Sequence, residues 1–161
     1  MTPEEELTLI TRIPKEPWKE LSKEQRKYLP TLAELVDRLS IVQLKAIFID
    51  NKTAYDAELE LIKHDIDLLL AEKGGWQVTG EDIRTLMILA TANHFIWVNE
   101  GKAREGGREQ DHLLRATHGV NGIRARGKNV ISRKFEERVD LKVDSLAADL
   151  PEGTGNWDIF K

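Results

Sequence analysis

Residues 32–49, LAELVDRLSIVQLKAIFI, decide the fold. Leu32, Leu35, Leu39, Val42, Ala46 and Ile49 recur at three- and four-residue intervals, the period of one face of an α-helix. The segment therefore predicts a helix over 31–49 with a buried seam, and the same period continues beyond it. A second helix is expected over 54–72, with Tyr55, Leu59, Ile62, Ile66 and Leu69 on one face and Gly74 and Gly75 ending it. A third starts after Thr79, whose partner in a capping box is Asp82, and runs to residue 102. Its apolar residues, among them Ile83, Leu86, Met87, Leu89, Ile96 and Val98, wrap most of the circumference, which marks it as the central helix. The linker EGGRE (105–109) leads to a fourth helix over 110–132. Four helices with short connections predict an all-α chain with a four-helix bundle-like core over 31–134.

Around that core the pattern changes. Pro14, Pro17 and Pro30 make residues 1–30 an irregular arm with a helical turn near 22–28 and Trp18 as its anchor. Residues 135–161 form an extended tail in which Val139, Leu141 and Val143 alternate with charged residues and Trp157, Ile159 and Phe160 make an apolar hook. Arm, core and tail are expected to form one domain, since 161 residues with 40% hydrophobic content can bury a sizeable core. The hook and a strand without a partner favour a homo-oligomer.

Composition excludes several chemistries. The chain has no cysteine, so disulfides, thiolate catalysis and cysteine-ligated metals are ruled out. No apolar run approaches the ~20 residues of a membrane span. The acidic start MTPEEELTL lacks the basic region of a signal peptide, and a cytoplasmic location without membrane contact is expected. Net charge is −4, yet residues 101–138 carry ten Lys or Arg against five Asp or Glu. Such asymmetry favours a local anionic partner over the coating of nucleic acid, which is not expected as a partner.

The candidate site comes from aligned polar stripes. In LLRATHGVNGIRARGK (113–128), Thr117, Asn121, Arg124 and Lys128 share one helix face, His118 flanks it, and Ala116, Gly119, Gly122 and Ala125 leave room for close approach. On the first helix Glu34, Arg38, Ile41 and Lys45 line up beside the seam, with Asp37 and Ser40 adjacent. A Glu34–Arg38 surface pair is the simplest account of that face. The third helix adds Asn93, Trp97, Glu100 and Arg104. An aromatic plane, amides and guanidinium groups suit a phosphorylated, nucleotide-derived small molecule. Arg38, Lys45, Arg124 and Lys128 would contact phosphate, and Asn93, Trp97, His118 and Asn121 would recognise the rest. On this reading alanine at Arg38 and Arg124 abolishes binding and leaves the melting temperature nearly unchanged. No catalytic residue is assigned, and the binder needs no cofactor.

Two resemblances bear on function. The runs ELVDRLSIVQLK (34–45) and THGVNGIRARGKN (117–129) resemble small uncharacterised all-helical proteins of tailed phages, over most of residues 30–150. That resemblance implies a phage sponge that sequesters a nucleotide immune signal in the host cytoplasm. The ExxD of Glu34 and Asp37 resembles half of the acidic metal motif of all-α nucleoside triphosphate pyrophosphatases, although the second helix has Glu60, His64 and Asp67 without an EExxE run. The enzyme alternative is thus a magnesium-dependent pyrophosphatase with Glu34, Asp37, Glu60 and Asp67 as ligands. A third reading is a protein-interaction module with no small ligand, using the basic fourth helix and the aromatic tail. Basic groups around a closed pocket would favour the binder, converging acids the enzyme, and a flat face the module.

Overall fold

The computed structural model describes residues 28–107 and 110–140. The chain divides into two units, Met1–Pro30 and Thr31–Lys161. Among the described residues there are four helices: α1 (Leu32–Phe48), α2 (Lys52–Glu72), α3 (Gly80–Glu105) and α4 (Gln110–Lys134). The expected turn at 22–28, the Trp18 anchor and the Trp157, Ile159 and Phe160 hook lie outside the described residues. So does most of the expected strand, of which Val139 and Asp140 are described and form no regular structure.

Local chemistry sets the helix ends. Thr31 accepts a hydrogen bond from the Glu34 backbone, and the Glu34 carboxylate accepts one from the Thr31 backbone, closing a capping box. Thr79 and Asp82 repeat the device at α3. Gly74 and Gly75 take φ of 80° and 92°, a region costly for a side chain, and the Gly75 N–H reaches back to the Leu70 carbonyl to stop α2. After α4, Glu136 adopts φ 55° and turns the chain back. Glu137 then accepts from the Leu32 backbone N–H and pairs with Lys73, joining the start of α1 to the end of α2. Three residues on, Asp140 exchanges two backbone hydrogen bonds with the Asn129 amide.

Packing is less symmetric than in a regular bundle. Helix α1 packs against the other three, α3 and α4 pack along each other, and α2 packs chiefly on α1. The α1 seam is accordingly split. Leu35, Leu39, Val42 and Ala46 meet Tyr55, Leu59 and Ile62 of α2, while Leu32, Ala33 and Val36 join Leu89 of α3 and Ile131 of α4. Ile49 stays exposed and outside the seam.

The central helix is α4, not α3. Ala116, Gly119, Val120, Gly122, Ile123, Ala125, Gly127, Ile131 and Ser132 are all buried, and at 100° per residue they occupy most of its circumference. Small side chains let neighbours close in on several sides, so low apolar content coexists with deep burial. Helix α3 has the opposite character: Leu89, Ala92 and Ile96 are buried, but Ile83, Met87 and Val98 stay exposed. Its second apolar face has no covering partner among the described helices.

Candidate functional site

One polar cluster lies inside the bundle and one groove lies on its surface. The cluster is built on Asp37, which α1 carries into the contact with α3 and α4. Its two carboxylate oxygens accept from Arg124 Nε at 2.8 Å and Nη2 at 2.6 Å, a bidentate pair. Asn93 of α3 donates to Asp37 at 3.0 Å and to Ser40 at 2.9 Å, and the remaining Arg124 nitrogen reaches Asn121 at 3.2 Å. Hydrogen bonding to Asp37 raises Arg124 above the ordinary guanidinium range; burial acts against that rise, and the charges of Asp37, Asp140 and Glu100 add to it. The guanidinium is therefore compensated by acids on several sides.

Of the eight residues expected to bind ligand, Asn93, Asn121 and Arg124 are brought together. The others are placed apart and mostly engaged. Arg38 binds Glu58 through Nε and Nη2, at 3.1 and 2.6 Å, in place of the expected Glu34 pair; Glu34 instead holds Thr31 and Arg138. Lys128 pairs with Asp140 at 3.2 Å, and Lys45 sits over the Tyr55 ring, 5.9 Å from its centroid. His118 is exposed and Trp97 half-buried. Three of the four expected phosphate contacts thus already hold a carboxylate.

The acids of the pyrophosphatase alternative do not converge either. Asp37 is taken by Arg124, Glu34 by its cap and Arg138, and Glu60 by Lys63 at 2.6 Å. Among the described residues no group of three or more His, Asp or Glu side chains is arranged to hold a metal ion. Glu34, Asp37, Glu60 and Asp67 are not brought together: helical spacing aligned two pairs, and tertiary packing gave Glu34, Asp37 and Glu60 other partners.

The groove runs over α1 between α2 and α3 and encloses about 570 Å³. Val36, Leu39, Ser40 and Gln43 form its floor, Asp56, Leu59, Glu60 and Lys63 one wall, and Leu86 the edge of the other. It arises because α2 and α3 flank α1 without packing along each other. Ile66, Leu69 and Leu70 of α2 and Leu86 of α3 all pack against the first core cluster. Next to Leu86 on the α3 surface, Ile83, Met87 and Ala90 form an i, i+4, i+7 stripe in which Met87 is 64% exposed. Ser40 accepts from Asn93 at the groove floor, so the groove and the polar cluster share a residue. Sequence reasoning missed this site. The usable signal was the excess of apolar positions on the third helix over what one core face requires.

No family model, curated protein or solved structure matches the chain. No helix among the described residues is long and apolar enough to cross a membrane.

Proposed function

We propose that this chain is a protein-interaction module that takes a helical segment of a partner protein into the α1/α2/α3 groove. The observation that carries the reading is the groove itself: its apolar lining residues Val36, Leu39, Leu59 and Leu86 lie beside the exposed α3 stripe Ile83, Met87 and Ala90. Exposed apolar stripes rimmed by polar residues mark interaction sites. Val36 to Gln43 and Ile83 to Ala90 each span about 10 Å of helix at ~1.5 Å per residue. Two turns of an amphipathic helix with anchors at i, i+3 or i+4, and i+7 match that length.

Fluorescence anisotropy with a labelled helical peptide bearing a leucine stripe and neutral polar flanks tests the proposal. Saturable binding that Met87→Asp abolishes, with the circular dichroism of the protein unchanged, is the expected result. Absence of binding overturns it.

A phosphorylated nucleotide ligand has one observation in its favour, the meeting of Asn93, Asn121 and Arg124. Phosphate would there have to displace the Asp37 carboxylate from a bidentate pair. A nucleotide that raised the melting temperature without metal, and failed to do so with Asn121→Ala, would favour that ligand over the module.

A further inference from the structure

The groove is asymmetric in charge. Helix α2, which forms one wall, carries six Asp or Glu against two Lys. Asp56, Glu60, Lys63 and Asp67 fall at four-, three- and four-residue intervals along one face. Lys63 is the single cation lining the groove, and Glu60 holds it at 2.6 Å. Asp56 and Asp67 have no partner among the described residues. The opposite stripe, Ile83, Leu86, Met87 and Ala90, carries no charge. On the floor, the Ser40 hydroxyl accepts from Asn93, and no acceptor among the described residues takes its proton.

Resting on the reading of the groove as a docking site, we propose that its occupant is a basic amphipathic helix of another protein. Its aliphatic stripe lies on Val36, Leu39, Leu59 and Leu86. One flank carries Lys or Arg against Asp56, Glu60 and Asp67, and the other flank carries aliphatic residues against Met87 and Ile83. A second copy of this chain is the competing occupant, and four of its basic side chains are already committed. Arg124, Lys128 and Lys134 of α4 bind Asp37, Asp140 and Asp82, and Arg38 of α1 binds Glu58.

Three labelled peptides of about five helical turns, sharing one leucine stripe and differing only in flanks of Lys, Gln or Glu, are titrated against the full chain by anisotropy. The Lys peptide is expected to bind about tenfold tighter than the Gln peptide, from two or three partly exposed ion pairs. That preference should shrink as salt rises from about 0.1 M to about 0.5 M. The double variant Asp56→Lys, Glu60→Lys should prefer the Glu peptide, and Met87→Asp should weaken all three. Equal binding of the Lys and Gln peptides overturns the basic partner and leaves the module standing; binding of none overturns both. A dimer in analytical ultracentrifugation that Met87→Asp dissociates assigns the groove to a second copy and likewise overturns the inference.

Discussion

Separating Asp37 from Arg124 is expected to be among the most damaging single changes in the described core. The Asp37 side chain is 7% exposed and that of Arg124 24%, and the pair is bidentate. Asp37→Leu leaves a mostly buried guanidinium without its carboxylate and removes an acceptor from Asn93. Breaking a buried pair from one side costs about 3–5 kcal/mol, and the partial exposure of Arg124 places this variant near about 3 kcal/mol. Arg124→Met strands the more deeply buried carboxylate and should cost about 4 kcal/mol. For a chain of this size those losses lower the melting temperature by roughly 6–16 °C. The double variant removes both charges and replaces them with apolar bulk, so it should lie within about 1–2 kcal/mol of the native chain. Denaturant titration of the native chain and the three variants, followed by circular dichroism, gives all four corners of the cycle. If Asp37→Leu costs less than about 1 kcal/mol, or if the two losses simply add, the pair is not the buried, coupled unit described above. The sequence alone leads to the expectation that alanine at Arg38 and Arg124 leaves the melting temperature nearly unchanged, whereas this geometry predicts a fall.

Further outcomes follow from other contacts. Burial by itself would raise the Asp82 carboxyl, but hydrogen bonds from Lys134, Thr79 and Trp76 outweigh it and bring the pKa from 3.8 to about 2. A folded-state pKa below the unfolded one stabilises fully above about pH 5 and is lost as pH falls toward about 2, so up to about 2 kcal/mol should disappear over that window. Asp82→Asn should flatten the profile in acid titrations of stability, and an unchanged profile would remove Asp82 as its source. Gly74→Ala forces a side chain to φ 80° and should cost about 1 kcal/mol by denaturant titration. Asn129→Ala removes both amide bonds to the Asp140 backbone; hydrogen exchange at residues 137–140 should accelerate while the α3 core stays protected. Ile123→Ala, at a fully buried position of α4, should cost about 2–4 kcal/mol, whereas Met87→Ala should change stability by less than about 1 kcal/mol.

The four helices fall close to where apolar periodicity and end signals put them, because caps and breakers act within four residues of the chain. Thr31 with Glu34, Thr79 with Asp82, and Gly74 with Gly75 are local devices. The stripe on α4 was also readable, and Asn121 and Arg124 do share a face. Its partner was not: Arg124 was read as a free cation because its acid lies 87 residues away on α1. Asp37 in turn was read with Glu34 as half of a metal pair.

The sequence by itself determined that this protein is helical, where each helix starts and stops, and which face of α1 and α2 is apolar, since all of these depend on neighbours three or four residues apart. Only the tertiary structure decided which helix is central, which charges cancel, and where a face is left uncovered. Those outcomes depend on side-chain volume and on the rotation of each helix against its neighbours. Glycines that weaken α4 as an isolated helix allow it to be enclosed, and the apolar residues of α3 exceed what its neighbours cover.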